Sequence, residues 1–455
     1  MPGQSVFYGP TGLFSSPALA GLRKSATLGA SGKPTPKPHG EVARACLHDD
    51  AFRRRLIDDF DTCANTVHRF VEMDVLDTLR TAHSVPVRFN LLYAAVVACG
   101  AFLSAHAEVK DMCSLFVDSA QAIALTSCQT QANVYVVQGL NILAWLELGR
   151  GNGTSSWMFT SMAGAMVVHQ GLHVQEEPCL ADQTAEPRRQ ERTLAFWSFF
   201  WVNRTVAAVL GRTTFLPKSQ VKVPALASFG TLEAVEDACL DSLCQLWSLH
   251  DQHMEHVLSF DFPTLDTSKK EILLRDARLA LNQFYGSVDA RLRTATDAPP
   301  SYFYFQISYH VSLILLHRPF LNSTPSPIFS SALHAMAAAA SSITDLLHRL
   351  RTAPHRVQTI PPFIIYHVLR AASVLLLLAT SSTSRASTPY RRPSAWISAR
   401  MKLCLEVLDE SGRTWQELSE RAVRTIRELA ARWNVRHFTT TMKRIRESQF
   451  ARPEL

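Results

Sequence analysis

Several signals are missing from this 455-residue chain, and each absence removes a class of function. There is no G-x-S-x-G turn to raise a nucleophilic serine, no G-x4-G-K-[ST] loop to cradle phosphates, and no G-x-G-x-x-G after a strand-like run. Gly32-Lys33 lacks the serine or threonine that would follow it in such a loop. The nine cysteines form no C-x2-C pair; the closest two, Cys239 and Cys244, read as neighbouring turns of one helix. Scattered cysteines in apolar surroundings read as small buried hydrophobes of a reducing compartment. Arg192 and Arg204 leave eleven uncharged positions between them, and His367 and Arg370 interrupt Phe363–Thr380. A membrane span needs roughly 20 apolar residues, so the expectation is a soluble chain with no membrane partner. No charged-then-apolar leader opens the sequence, so the Asn-x-Ser/Thr matches at Asn152, Asn203 and Asn322 carry no expectation of glycosylation.

Strand-like alternation is scarce, and what the chain does have is helix. Val136, Leu140, Leu143, Leu146 and Leu148 recur at mostly helical spacing and stop at Gly149-Arg150-Gly151-Asn152-Gly153, a turn sequence. Thr154 or Ser155 can cap a second helix, whose stripe of Trp157, Met158, Ser161, Met162, Ala165, Met166 and His169 reads as core packing. Small residues at 163–165 would let a neighbouring helix approach, and Gly171 sits where a left-handed terminator belongs. After Pro187 come Arg188, Arg189 and Arg192, then Leu194, Phe196, Trp197, Phe199, Phe200, Trp201 and Val202. That run is too apolar all round for a surface helix and predicts one running through a bundle.

An all-α, multi-helix, bundle-like body therefore follows, with a Gly/Ser/Pro/Lys-rich flexible lead-in over 1–40 and helical parts over 41–226 and 227–455. At 47% hydrophobic residues the chain can build a large core. Its net charge of +7 concentrates at Arg53-Arg54-Arg55 and on a C-terminal helix. There Trp415, Leu418, Ala422, Ile426, Leu429 and Trp433 form the apolar stripe and the arginines a wet face, with Arg424–Glu428 a natural pair. His250, Asp251, His253, Glu255 and His256 read as an exposed polar helix face rather than a metal site. His310 and His317 read as hydrogen-bonded structural histidines, and Pro319 as the end of their helix through its effect on Arg318. Ser/Thr/Pro-rich loops are expected at 320–326 and 380–394, the second, with Arg385, Arg391 and Arg392, a candidate phosphorylation region.

Taken in order, these segments resemble a known family. Trp145 and Gly149, Trp157, and Gly171 with His173 look like the "W-x-x-x-G", "W-M-x-x-G-x-A" and "G-L-H" pieces of the middle homology region of fungal zinc-cluster transcription factors. Arg188, Arg189, Arg192, Trp197, Arg204, Gly211 and Arg212 resemble its "E-R-R-R…W…D-R…L-G-R-P" run, and His317, Arg318 and Pro319 its "L-L-H-R-P-F" helix end. Phe7–Pro10 and Phe14–Ser16 resemble the short segment that often precedes the region. The resemblance implies a nuclear regulator of RNA polymerase II transcription whose helical domain modulates activation. Asn203 and Thr213 depart from the family's aspartate and proline, which puts an ion pair at Arg204 and a loop entry in question.

The family's six-cysteine zinc cluster has no counterpart here, so no zinc or other cofactor is expected in this chain and no DNA-contacting residue is identifiable. Either the cluster lies upstream of Met1 or the chain regulates without one. The expected partners are DNA through a separate N-terminal module or a partner, transcriptional co-regulators, a second copy of the chain and a small-molecule effector. The rival expectation is a stand-alone interaction protein or competitor that has no DNA-binding activity of its own; neither reading involves catalysis.

Overall fold

The computed structural model describes residues 49–82, 84–175, 186–229, 234–259, 261–293, 298–322, 327–353, 360–383 and 394–435. The expectations placed on the lead-in, on Phe7–Pro10 and Phe14–Ser16, on Cys46 and Cys179, and on the loop at 384–393 lie outside the described residues. The all-α expectation holds: among the described residues the one β-type feature is an isolated parallel bridge between Val174 and Lys222. The chain falls into two compact units that part at Asp251; the first also takes in Asp289–Thr294, and the second comprises Gln252–Val288 and Ala295–Leu455.

In the first unit, α1 (Asp50–Phe60) starts where the Asp49 carboxylate accepts from the amides of Ala51 and Phe52. It buries Leu56, Ile57 and Phe60, together with Arg53, the first of the three arginines. The helix runs on through a π-helical turn, Asp61–Asn65, and stops at Arg69 with φ 50°. Asn65 folds the exit back, donating to the Val71 carbonyl at 3.0 Å and accepting from its amide at 2.9 Å. That turn carries His68 and Phe70 inward.

Next come α2 (Met73–Thr81), α3 (Asn90–Leu103), α4 (Ala107–Thr130), α5 (Val134–Gly149), α6 (Gly153–His169), α7 (Glu186–Leu210) and α8 (Val235–Leu258). α1 and α3 touch main chain to side: a Cβ on Gly100 would lie 1.9 Å from the Leu56 carbonyl oxygen. Only glycine permits that approach. Close packing thus falls at Gly100, whereas Gly164, where the sequence suggested a helix neighbour, meets the ring of Phe215 from a loop.

The second unit contains α9 (Thr267–Ser287), α10 (Pro300–His317), α11 (Pro327–Thr352), α12 (Pro362–Thr383), α13 (Ser394–Ser411) and α14 (Gln416–Arg432). α10 is buried along nearly its whole length, and Tyr304 and His367 both pack edge-on to Phe363. Trp415 is buried and donates its indole N–H to the Ile360 carbonyl at 2.6 Å, which fixes the start of α14. The stripe from Leu418 to Leu429 faces inward as expected, but Trp433 is half-buried, and among the described residues no ion pair joins Arg424 to Glu428. Arg351 instead spans to Glu406 and Glu410 on α13.

Two helical stretches, Arg188–Leu210 and Pro362–Thr380, are long and apolar enough to cross a membrane by length and composition, which the sequence reading had denied them. Both are buried along most of their length, as core helices are.

Candidate functional site

Most motif residues of the first unit gather around one loop, Gly211–Pro224, which lies as a strap across α6, α7 and α8. Its entry is the end of α7. Gly211, at φ 67°, lets the Arg212 amide turn back to the Ala207 carbonyl at 2.9 Å. Arg212 then lays its guanidinium over the Trp157 ring of α6, 4.9 Å from the centroid.

The middle of the strap is held by Asn203 and Arg204. The Asn203 amide accepts from Phe215 N at 3.2 Å and reaches Thr160 Oγ1 of α6 at 3.4 Å. An aspartate at this position could accept from both but could not donate, so asparagine suits the Thr160 contact. Arg204 is fully buried and stacks on Phe200 at 3.6 Å. Its Nη2 donates to the Leu216 carbonyl and to Asp251 Oδ2 of α8, the latter at 3.1 Å. Thr214 donates to the same carboxylate at 3.3 Å. Burial pulls the Arg204 guanidinium down to about 10 against the opposing pull of Asp251.

The ion pair at Arg204 therefore exists, with its carboxylate contributed from 47 residues downstream. Asp251 belongs to the His250–His256 segment, where an exposed polar face was expected. The structure corrects that: His250 is buried and packs edge-on to Trp247 at 5.2 Å, Asp251 pairs with Arg204 and Thr214, and His256 is exposed. Among the described residues no group of three His, Cys, Asp or Glu side chains could hold a metal ion.

The far end of the strap meets the end of α6. Trp197 donates its indole N–H to the Pro224 carbonyl at 2.8 Å, and Lys218 sits 5.8 Å above the same ring. The Lys222 amide donates to the His173 carbonyl at 2.8 Å, and the Gln175 amide to the Lys222 carbonyl at 2.8 Å. His173 thus contributes main chain rather than imidazole. Gly171, at φ 63°, supplies the corner, and the Leu172 amide closes onto Val167 O at 2.9 Å. Arg192 ties the same corner to α7 through the Gln170 carbonyl at 3.0 Å; Arg188 is exposed and Arg189 half-buried.

Trp145 and Gly149 serve another junction. Trp145 lies in an aromatic knot, with His68 centred 5.3 Å away and Phe70 6.0 Å away, while His68 stacks on Trp201 of α7 at 4.7 Å. Burial pushes the His68 imidazole down to about 3, so it is neutral in the fold. Gly149 closes α5, and the left-handed position of the corner falls at Gly151, φ 76°. Neither Thr154 nor Ser155 caps α6; the Ser156 hydroxyl bonds Ala144 O at 2.7 Å. Glu147, buried, holds the corner by accepting from Arg150 at 2.6 Å and Asn152 at 2.7 Å.

The stripe of α6 is turned from its expected phase. Ser156, Phe159, Thr160, Ala163, Met166 and Val167 are buried, while Met158 is 55% exposed and Ala165 and His169 lie in solvent. α6 contains no Asp, Glu, Lys or Arg, so its sequence carries no polar mark for the outer face.

In the second unit, His317 is buried with Nδ1 at 2.7 Å from Leu313 O, and burial pushes it down to about 4. His310 is likewise pushed to about 4, but its Nδ1 makes no hydrogen bond among the described residues, against expectation. Arg318 keeps helical angles, φ −55° and ψ −43°, and continues into a 3-10 turn, Arg318–Asn322. Pro319 ends α10 without expelling Arg318 from the helical region; the missing N–H is the remaining cause.

Residues 55–269 match the fungal specific transcription factor domain family. The chain is 22% identical over 374 residues, 73% of its length and 55% of the relative's, to an uncharacterized transcriptional regulatory protein of Schizosaccharomyces pombe. A second such protein of that yeast is 23% identical over 264 residues, 51% of this chain and 42% of its own. The TY1 enhancer activator of Saccharomyces cerevisiae is 27% identical over 100 residues, 21% of this chain and 13% of its own. The chain thus spans about half the length of the first two relatives. No solved structure matches.

Proposed function

Since residues 55–269 of the chain belong to the fungal specific transcription factor domain family, we propose that this protein is a fungal transcription regulator and that its helical body is the regulatory part. The observation that supports this best is the strap. Trp157, Gly171, His173, Arg192, Trp197, Arg204, Gly211 and Arg212 all act on one loop or its anchoring corner, through main-chain bonds, ring contacts and one buried ion pair. Such a set shapes a body rather than a reaction centre.

On this reading the chain is not an enzyme, works in the nucleus, and acts through co-regulators, a second copy or a small-molecule effector. DNA is reached through another module or partner. A fusion of the whole chain to a heterologous DNA-binding domain should change a reporter several-fold relative to that domain alone. A stably expressed fusion that leaves the reporter unchanged would overturn the reading. The purified chain should bind duplex DNA weakly, without sequence preference, and lose it between about 50 and 200 mM salt; tight sequence-selective binding at the higher salt would place a DNA reader in this chain.

A further inference from the structure

Part of the stripe that the sequence assigned to the core lies instead on the outer side of α6. Met158, Ala165 and Val168 are exposed, and Ser161 and Met162 are half-buried. Of the nine large hydrophobic side chains exposed among the described residues, four lie on α6 or on the corner and strap that adjoin it: Met158, Val168, Val174 and Phe215. The Phe215 ring is pressed against Gly164, where a Cβ would come within 2.4 Å of it. Gly164 sits three residues after Ser161 and four before Val168, so Phe215 borders the stripe. A continuous apolar surface of this kind marks a contact with another macromolecule.

Three properties of the face select its occupant. Thr154, Met158, Ser161, Ala165 and Val168 follow one another at steps of four, three, four and three, the spacing of a seam that meets a second helix. Reversed through Ser161, the same series sets the long Met158 against the short Ala165, and Thr154 against Val168, which has its shape. A contact across a twofold axis needs such self-complementarity. Asp, Glu, Lys and Arg are absent from α6, so two copies meet there without like-charge repulsion, and a charged partner finds nothing to pair with. The Ser161 hydroxyl already donates to the Trp157 carbonyl at 2.8 Å, so covering it strands no donor. A helix of 17 residues is about 25 Å long, too short a seam to bury the roughly 1,600 Å² of a standard interface, so the contact is a weak one.

We propose that the outer face of α6 is the contact between two copies of this chain, the helices crossing antiparallel at Ser161 about a twofold axis, with Phe215 at the rim. The pairing is reversible, with half of the chains dimeric at about 10 µM. This deepens the regulatory reading by naming the surface that takes the second copy, and it rests on that reading only for its purpose.

The test is sedimentation of the full chain between about 1 and 100 µM, over which the wild type should pass from monomer to dimer. Ala165→Glu, which sets a carboxylate against Met158 of the second copy, should stay monomeric with an unchanged melting midpoint. Under mild oxidation Ser161→Cys should give a disulfide-linked dimer, about five-fold above the wild type with its nine native cysteines, and adding Ala165→Glu should remove it. If Ala165→Glu melts below the wild type, Met158→Lys takes its place with the same two outcomes. A wild type still monomeric at about 100 µM would leave the face to a different protein and overturn the proposal. So would dimers that survive the added charge, or a Ser161→Cys chain that crosslinks no more than the wild type. Sedimentation requires no transcription, so this outcome is independent of the reporter's.

Discussion

In the first unit the deeply buried Arg204 has a carboxylate, a carbonyl and an aromatic face around it. In the second, the buried Arg370 lies beside another guanidinium, Arg318, and an imidazole, His367; burial and Arg318 pull it down to about 9. The second unit also buries three imidazoles, at 310, 317 and 367, as neutral groups. One unit holds a charge by pairing it, while the other keeps its histidines uncharged. The first arrangement fails when a partner is deleted; the second fails when protons are supplied.

The largest expected effect breaks the pair. Asp251→Asn leaves a buried guanidinium without its counter-charge and should lower stability by about 3 kcal/mol in urea melts. The strap at 213–220 should then be cut faster by protease. An unchanged melt would mean that Phe200 and the Leu216 carbonyl suffice.

The next effect is set by pH. The folded-state imidazoles of His310 and His317 titrate near 4, and that of His367 below its ordinary range, while unfolded histidine titrates near 6.5. Below 6.5 the unfolded chain binds more protons, so stability falls as pH drops, by roughly 1 kcal/mol per pH unit for each group. In the first unit His68 behaves likewise, down to about 3. Hydrogen-exchange protection factors should therefore fall more between pH 7 and 5 in α10 and α12 than in α5 and α7. The reverse order would undo the contrast.

A smaller effect separates burial from pairing. Arg351 has two carboxylate partners, at 2.8 and 2.6 Å, but is only partly buried, so Arg351→Ala should reduce stability by about 1 kcal/mol, well below Asp251→Asn, in the same urea melts. The smallest concerns Glu72, pushed up to about 7 by burial, then by Asp74 and Glu191. The fold prefers its protonated form, so stability declines as pH rises from about 4.5 to about 7 and levels off beyond, and Glu72→Gln should flatten that slope. An equal slope in the variant would assign the decline to other groups.

What could be read in advance was local. The α5–α6 corner, the termination at Gly171, and the buried character of α7 all depend on residues within a few turns of each other, and composition marks them. Asp251 could not be matched to Arg204 from spacing, because their contact is made by packing of α8. Gly100 looked like any helical glycine until Leu56 was seen against it. The phase of α6 was misread because apolar residues surround that helix and no charge labels its outer side.

Gly171 carries a consequence of a different kind. A side chain added there would meet nothing within 4 Å, yet its φ of 63° disfavours every L-residue. The corner that anchors the strap thus specifies handedness rather than size. A mirror-image D-alanine placed there by chemical ligation would fit the native turn, narrow the unfolded ensemble, and brace the corner more firmly than the natural residue, whereas L-alanine would loosen it.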